Sequence, residues 1–439
     1  MSTDVGTRKR FKLDQLGFVG RGRSRHRPRN DPSLYGGLYP FFQTGDIKAA
    51  NLYLYEHSQT YNGKGLAQSK LWEPGTLCIT IAANIAETAI LKIRGCFPDS
   101  VVGFVPDPEK ADVRFVKYYI DFIKLRMQGV SHGTTQDNLS LDKLLTFDFL
   151  MPTLEVQHKI AAILSAYDEL IENNLQRIQI LEEMAQVLYR EWFVNFRFPG
   201  YEKVRMVDSP LGKIPERWEV RPFVDLLESY LGGDWGSDTP NEKGNCPVVV
   251  IRGADLKNIS RGAPSKTPTR YINQKSLAKR ELRPGDVVVE NSVNASSRCV
   301  GSSLLITDSI LRMIGTYAIC ASFCKTFRPK NPVLSMLMHL HLQYLREENK
   351  MPFYQNVATN GIANFQAKRF VDTECLVLPK ERPVLSNMLS MLSDLTDLAS
   401  VLAERNANLR RTRDLLLPRL ISGELDVSNL NIDIGEEAA

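Results

Sequence analysis

The sequence lacks any long apolar run, and no stretch reaches the roughly 18 residues that a membrane-spanning helix needs. Cysteine is scarce, with 7 in 439 residues, and the odd number and scattered positions do not suit a disulfide framework. The start, MSTDVGTRKRFKLDQLG, is charged and has no apolar core of the kind found in secretory signals. These absences predict a cytoplasmic protein that binds no membrane.

Motifs for catalysis are missing as well. The chain has no G-x-x-x-x-G-K-[ST] phosphate loop, no G-x-G-x-x-G dinucleotide turn and no Asn/Asp-Pro-Pro-Tyr/Phe tetrapeptide of an adenine methyltransferase. Asp46-x-Lys48 and Asp255-x-Lys257 match half of a metal-dependent nuclease pattern, but their duplication favours a shared structural turn. We therefore expect no catalytic residues, no metal site and no cofactor bound by this chain.

The chain is an internal repeat of two similar halves. The apolar run Leu77–Ile81, which follows a Pro-Gly turn, is echoed by Val287–Val289 after a second Pro-Gly turn. The polar segment 133–138 has its counterpart in residues 360–366. The two halves are thus related units that differ by insertions.

Each half ends in a long helical pattern. Apolar residues recur in steps of three and four from Ile160 to Leu188 and again from Leu385 to Leu416. This spacing places an apolar seam on one face of a helix, and that seam must be buried. Two such helices, each about 45 Å long, predict an intramolecular antiparallel coiled coil; the alternative is that each packs on its own half. Pro418 is expected to end the second helix.

Short β-type runs with turn residues precede each helix, so each half is predicted to be an α/β globule. The predicted fold is α+β, with two similar α/β domains joined by two long antiparallel helices in a pseudo-two-fold repeat. The predicted boundaries are residues 1–152 for the first domain, 153–198 for the first long helix, 199–379 for the linker and second domain, 380–427 for the second helix, and 428–439 for a disordered tail.

Three segments resemble one known family. They are Tyr189–Gly200 (YREWFVNFRFPG), Leu211–Val220 (LGKIPERWEV) and Leu415–Leu425 (LLLPRLISGEL). All three resemble the corresponding positions of the DNA specificity subunits of Type I restriction-modification systems, and the resemblance extends from about residue 10 to 427. It implies that the two α/β domains are target-recognition domains and that the long helices are spacers between them.

The resemblance also implies partners. These are double-stranded DNA, two modification subunits around the coil, which methylate adenine with S-adenosylmethionine, and restriction subunits, which hydrolyse ATP and cut DNA; ATP and Mg²⁺ are expected on those partners. Two unlike domains on a stiff coil predict an asymmetric target of two half-sites, separated by an unread spacer of about one helical turn, roughly 10.5 base pairs. The aromatic residues Tyr189, Trp192, Phe193 and Phe196 either pack the coil end or anchor a modification subunit.

Lysine and arginine on phosphates, and amide and hydroxyl side chains on base edges, are the groups expected to contact DNA. Ordinary loop capping is the alternative role for each of them. In the first domain the candidates are Lys48, Asn84, Ser131, His132, Thr134, Thr135, Gln136 and Asn138. In the second domain they are Arg252, Lys257, Asn291, Asn294, Ser296, Ser297, Arg298, Asn360, Asn364, Gln366 and Lys368.

One stretch concentrates positive charge although the net charge is only +5. Five arginines alternate with small or polar residues between Arg21 and Arg29. This stretch stands where members of the family often have a Gly-Gly-Thr-Pro-Ser-like turn. It is either a solvated loop or a segment that lies along phosphates or enters a minor groove.

Three functions are therefore compared. The first is a DNA-reading subunit without catalysis, and the second is an enzyme with its own recognition module, which the missing motifs disfavour. The third is a coiled-coil scaffold that binds proteins and does not read DNA. The polar loops and the three family-like segments favour the first.

Overall fold

The computed structural model describes residues 8–131, 139–242, 244–264, 267–294, 299–380 and 386–434. The chain divides into two compact units. The first unit comprises Met1–Glu172 and Leu409–Ala439, and the second comprises Asn173–Asn408. Of the helices within the described ranges, none combines the length and the hydrophobicity that a bilayer crossing requires.

The first unit is built mainly from short strands. Its elements are β1 (Lys9–Phe11), β2 (Gly17–Arg21), β3 (Tyr35–Phe41), α1 (Thr44–Ala49), β4 (Tyr53–Leu54), β5 (Gln59–Tyr61), α2 (Gly63–Ala67), β6 (Leu71–Trp72), β7 (Leu77–Thr80), β8 (Thr88–Leu91), β9 (Gly95–Cys96), β10 (Val101–Pro106), α3 (Val113–Ser131), α4 (Leu141–Leu144), β11 (Phe149–Met151) and the start of the long helix α5 (Leu154–Tyr189).

Two sheets and one strand pair organise these elements. The five-stranded sheet has the order β2-β10-β7-β8-β4, in which only β4 runs parallel to its neighbour, and the four-stranded sheet has the order β5-β3-β9-β6. Strand β1 pairs with β11 immediately before α5. Helix α3 covers the five-stranded sheet and buries Phe115 and Ile120 in the main core of the unit. The predicted α/β character of the first domain is confirmed.

The second unit has the same kinds of elements. After the turn Arg190–Val194, which closes α5, they are β12 (Met206–Ser209), β13 (Gly212–Pro215), β14 (Trp218–Pro222), α6 (Phe223–Leu226), β15 (Leu227–Gly232), β16 (Cys246–Ile251), α7 (Leu256–Ser260), β17 (Thr269–Ile272), α8 (Gln274–Arg280), β18 (Val287–Glu290), β19 (Ser292–Asn294), β20 (Ser303–Leu305), α9 (Asp308–Ile314), β21 (Ala318–Cys320), β22 (Cys324–Pro329), α10 (Pro332–Glu347), β23 (Gln355–Val357), β24 (Ile362–Phe365), α11 (Ala367–Thr373), β25 (Cys375–Pro379) and the helix α12 (Ser386–Ser422), which continues into the first unit.

The sheets of the second unit repeat those of the first. The order β15-β22-β18-β20 corresponds to β2-β10-β7-β8, and the pair β14-β25 corresponds to β1-β11. Three further sheets have the orders β17-β16-β21, β19-β24-β23 and β12-β13. The predicted repeat is therefore present, because the two units share these strand orders.

Within the first unit the two long helices run antiparallel. Ile160 and Leu164 of α5 share the core with Leu420 and Ile421 of α12, whereas Asp168, further along α5, pairs with the earlier residue Arg413. Asp168 is 1% exposed and also accepts a hydrogen bond from Tyr118 of α3 at 2.6 Å. Burial lowers the pKa of Arg413, but the neighbouring carboxylates of Asp168 and Asp414 have the larger effect, so the pKa of Arg413 is raised above its ordinary value. This ion pair joins the helix pair to the α/β part of the unit.

Within the second unit the helix segments also run antiparallel. Ile178 of α5 packs on Leu402 and Ala403 of α12. The Nδ2 of Asn174 donates to Oδ1 of Asn406, which is fully buried, at 2.9 Å. This hydrogen bond favours one register, because a shifted register leaves the buried Oδ1 of Asn406 without its donor. The predicted α+β fold with a pair of antiparallel helices is confirmed.

The expectation that Pro418 ends the second helix is wrong, because α12 continues to Ser422 with Pro418 inside it. Proline removes one backbone donor in the last turn, but the residues that follow it keep the helix in place. Leu420 and Ile421 are buried in the core of the first unit, and the guanidinium of Arg8 donates to both of their carbonyl groups. Burial and this cap outweigh the missing hydrogen bond.

The end of the chain packs on the first unit. The carbonyl of Ser428 accepts a hydrogen bond from Lys159 at 2.7 Å, and Ile432 lies against the main core. The segment predicted as a disordered tail therefore begins with ordered contacts, and its residues 435–439 lie outside the described ranges. The two compact units cut both long helices, so they divide the chain differently from the sequence-based boundaries, which stay a prediction.

Replacing Gly262 by alanine should destabilise the second unit by about 3 kcal/mol or more. Gly262 has φ +75°, and a Cβ there would overlap the carbonyl oxygen of Ala403 in α12. Gly361 is the matched control, since its φ is +77° but no atom lies within 4 Å of a Cβ at that position. Gly361→Ala should cost only the strain of the left-handed backbone, about 1–2 kcal/mol. Urea unfolding of both variants measures the difference, and equal losses would contradict the close approach of Gly262 to α12.

Candidate nucleic-acid interface

A small sheet in the second unit brings together two of the predicted polar segments. In the sheet β19-β24-β23, Ser292 lies opposite Asn364, and Asn294 lies opposite Ile362. On the other side of β24, Asn356 also lies opposite Asn364. Segments that are 72 residues apart in sequence therefore form one surface, and the predicted residues Asn294 and Asn364 both lie on it.

Alternation along the strands separates the two faces of this sheet. Val293, Ala363 and Phe365 point into the unit and are buried. The opposite face is exposed and carries one aliphatic residue among three asparagines. We call this set the amide face; it consists of Asn294, Asn356, Asn364 and Ile362.

Hydrogen bonds at the edge of the amide face orient its central residue. The hydroxyl of Ser292 donates to Oδ1 of Asn364 at 2.7 Å, and Nδ2 of Asn291 donates to the Ser292 hydroxyl at 3.2 Å. Among the described residues, Nδ2 of Asn364 has no partner. Asn364 thus keeps a donor and one acceptor lone pair available to a ligand, in an orientation that Ser292 restricts.

The turn that joins β23 to β24 is also part of the candidate set. Oδ1 of Asn360 accepts a hydrogen bond from the backbone of Ile362 at 3.1 Å, and Gly361 adopts a left-handed conformation. Asn360 therefore holds the hairpin turn. Asn356 was missed by the sequence-based prediction, although an Asn-Gly pair between two polar strands is a hairpin signal that could have revealed it.

The other candidates of the second domain lie elsewhere or outside the described ranges. Gln366 precedes helix α11, and Lys368 is exposed on that helix. Lys257 is exposed on α7, whereas Arg252 makes a bidentate ion pair with Asp255 at 2.7 Å, which raises the pKa of Arg252. The side chains that lie outside the described residues are Ser296, Ser297 and Arg298.

In the first unit two candidates are in direct contact. Nζ of Lys48 donates to Oδ1 of Asn84 at 2.8 Å. The backbone amide of Leu139 donates to the carbonyl of Ile81 at 2.9 Å, so Leu139 lies beside the loop that carries Asn84. Ser131 is the last residue of α3. The candidates that lie outside the described residues are His132, Thr134, Thr135, Gln136 and Asn138.

The same backbone contact recurs in the second unit. There the amide of Phe365 donates to the carbonyl of Asn291 at 2.7 Å, as Leu139 does to Ile81 in the first unit. In both units the acceptor is the residue that follows the sheet strand (β7 or β18). Leu139 and Phe365 therefore occupy equivalent positions in the repeated fold of the two units.

The duplicated aspartates act as structural caps. Asp46 accepts a hydrogen bond from the backbone amide of Gln43 at 2.8 Å, and Asp255 accepts the equivalent bond from Arg252 at 3.0 Å. Each carboxylate thus caps the backbone amide at the start of a helical turn, as the shared-turn interpretation predicts. Among the residues that the structure describes, no three His, Cys, Asp or Glu side chains are grouped as a metal site requires.

Comparison with known proteins points to one family. A family model described as the Type I restriction modification DNA specificity domain matches residues 8–183. The HindI specificity subunit of Haemophilus influenzae, a Type I restriction enzyme component, is 35% identical over 348 residues, which cover 68% of this chain and 74% of that protein. The MjaIX specificity subunit of Methanocaldococcus jannaschii is 23% identical over 416 residues, which cover 90% of this chain and 89% of that one.

A solved structure supports the fold. The crystal structure of the Type I restriction-modification S subunit from M. genitalium superimposes with a TM-score of 0.56 at 13% sequence identity. The superposition covers 96% of this chain and 97% of that chain. The two proteins therefore share their architecture along nearly their full lengths.

Proposed function

Because this chain belongs to the family of Type I restriction-modification specificity subunits, we propose that it selects the DNA sequence on which such a complex acts and carries out no chemistry itself. Its target is an asymmetric site of two half-sites, each read by one α/β domain. The predicted membership of this family is confirmed by the 35% identity to the HindI subunit. We place the protein in the cytoplasm, where the DNA and the partner subunits are.

The amide face is the observation that carries this proposal. In the major groove the amide of asparagine makes two hydrogen bonds to the N6 and N7 atoms of adenine. An aliphatic side chain packs on the methyl group of thymine. Asn364 has the free donor and the acceptor lone pair for the first contact, and exposed Ile362 stands beside it for the second. A sheet face of this kind can enter a major groove. The second domain therefore has the groups needed to read a half-site that contains A·T pairs.

Methylation and cleavage belong to partner subunits in this proposal. Modification subunits supply the adenine methyltransferase with S-adenosylmethionine, and restriction subunits supply ATP- and Mg²⁺-dependent cleavage. Tyr189, Trp192 and Phe193 are buried in the core of the second unit, which favours their role in packing the coil end. An alternative docking surface is the outward stripe of Ile180, Met184 and Val187, each about half exposed on one face of α5.

The test is methylome sequencing of cells that co-express this chain with its neighbouring modification subunit. We expect one bipartite, asymmetric motif with methylated adenine and a fixed spacer, present only when both proteins are made. Cells with the modification subunit alone are the control. No new methylation, with both proteins expressed and assembled, would contradict the proposal and favour a coiled-coil scaffold that does not read DNA.

A further inference from the structure

The arginine-rich segment of the first unit is an ordered edge of the fold. Arg21 ends strand β2, and the residues after it alternate between buried and exposed, with Gly22 and Ser24 inside and the arginines outside. The amide of Gly22 donates to the carbonyl of Val101 at 2.8 Å, and that of Arg23 donates to Phe97 at 3.0 Å. The side chains of Arg21, Arg23 and Arg25 therefore share one exposed side of an extended chain.

Backbone carbonyl groups, which carry no net charge, hold two of these arginines. Nε and Nη2 of Arg21 donate to the carbonyl of Asp99 at 3.1 and 2.7 Å. Nε and Nη2 of Arg23 donate to the carbonyl of Ser69 at 3.0 and 2.6 Å. This geometry fixes each guanidinium, which forms no ion pair within the described part of the chain, and keeps further N–H groups available for another acceptor. The guanidinium of Arg25 is exposed and has no hydrogen-bond partner among the described residues.

The later arginines of the segment differ from these three. Nη2 of Arg29 donates to both carboxylate oxygens of Asp99 at 2.7 and 3.0 Å, and Arg27 lies 3.8 Å from the same carboxylate. The single carboxylate of Asp99 thus offsets about half of the charge of these two arginines, whereas no ion pair is found for Arg21, Arg23 or Arg25 among the described residues. Lys70 adds a further positive charge to those of Arg21, Arg23 and Arg25. Its ammonium lies over the rings of Trp72 and Phe18, 3.6 and 4.6 Å from their centroids. Burial and the nearby charge of Arg23 lower the pKa of Lys70, as expected for cations held close together.

The register of the five-stranded sheet places these cations next to the candidate interface. Arg21 lies opposite Val102 of β10, and Val101 lies opposite Thr80 of β7. Strands β2 and β7 therefore end at the same edge of the sheet, two strand spacings or about 10 Å apart. Strand β7 leads into the loop of Asn84, and β2 leads into the arginine segment.

We propose that Arg21, Arg23, Arg25 and Lys70 form a phosphate-binding strip that contacts the DNA backbone beside the half-site read by the first domain. This inference rests on the proposed function and adds to it a group of contacts that supply affinity without reading sequence. A duplex offers a row of evenly spaced phosphates, and cations spaced at every second residue of an extended chain match such a row. Fixed, uncompensated guanidinium groups bind it with little further loss of side-chain freedom.

The test is the salt dependence of DNA binding by the chain assembled with its modification subunits, on a duplex that carries the motif found by methylome sequencing. The variant Arg21→Gln/Arg23→Gln/Arg25→Gln should make the slope of log K against log salt shallower by about 2–3, or about 0.9 for each lost phosphate contact. The methylated motif should stay unchanged. An unchanged slope, or an altered motif, would overturn the proposal.

Two further variants distinguish phosphate binding by the strip from a general effect of charge and from a role in the fold. Lys203→Gln/Arg205→Gln/Lys213→Gln removes the same charge from exposed positions of the linker and should leave the slope nearly unchanged. Arg21→Lys/Arg23→Lys/Arg25→Lys keeps the charge, so it should retain most of the slope if phosphates are the ligands. If the Lys variant loses as much as the Gln variant, the arginines act only by holding the fold. Failure of the wild-type complex to bind or methylate any motif refutes the proposed function itself, which is a different result.

Discussion

Replacing Asp168 by alanine should lower the free energy of unfolding of the first unit by about 3–5 kcal/mol. The change leaves the largely buried Arg413 with only the exposed Asp414 as partner and removes the acceptor of the Tyr118 hydroxyl, which donates to Asp168 at 2.6 Å. An uncompensated charge in a buried site costs far more than the ion pair contributes by itself. Urea unfolding, with hydrogen exchange followed in the first unit, measures the loss.

Two controls make this prediction sharp. Glu73 and Arg94 form an ion pair of 2.7 Å in the same unit, but their side chains are 62% and 68% exposed, so Glu73→Ala should cost less than about 1 kcal/mol. The variant Asp168→Leu/Arg413→Leu/Tyr118→Phe removes all three polar partners and should recover most of the stability. A loss for Asp168→Ala as small as that for Glu73→Ala would show that Asp168 and Arg413 are not buried together.

Replacing Asn356 and Asn364 together by alanine should relax the methylated motif at one half-site only. Each bidentate contact of an amide with a base contributes about 1–3 kcal/mol of discrimination, which is roughly 5- to 150-fold between the right and the wrong base. The two residues lie opposite one another on the exposed side of β23 and β24. Methylome sequencing should therefore show degenerate positions in the half-site of the second domain and an unchanged half-site of the first.

The matched control is Asn245→Ala, an exposed asparagine at the start of the β16 region, away from the amide face. It should leave both half-sites unchanged. Ser292→Ala is informative as well, because it removes the donor that orients Asn364 and should weaken discrimination less than the loss of Asn364. Degeneracy in both half-sites, or in neither, would argue against the amide face as a base-reading surface.

The long helices and the repeat were predictable because their signals are local. Apolar residues in steps of three and four define a helix face over many turns, and duplicated Pro-Gly turns mark equivalent strands. The end of α12 was not predictable in this way. What holds Pro418 within the helix is the burial of Leu420 and the cap from Arg8, which is more than 400 residues away in sequence.

The amide face needed the structure for a similar reason. Asn294 and Asn364 were identified as candidates by residue type and position, but their shared surface depends on the register between β19 and β24. Register between distant strands is set by tertiary packing, which a local pattern does not contain. The same holds for the arginine segment, whose order depends on carbonyl groups of Ser69 and Asp99 in other parts of the unit.

The first unit is discontinuous in sequence, since it needs both Met1–Glu172 and the segment that begins at Leu409. The ribosome synthesises the first of these parts at the beginning of translation and the second at the end. The partner of Asp168 and the apolar residues Leu420 and Ile421 emerge only after all of the second unit has been made. Domains usually fold in the order in which they are synthesised. Here the N-terminal unit is completed last, so a chain that stops early leaves its core open.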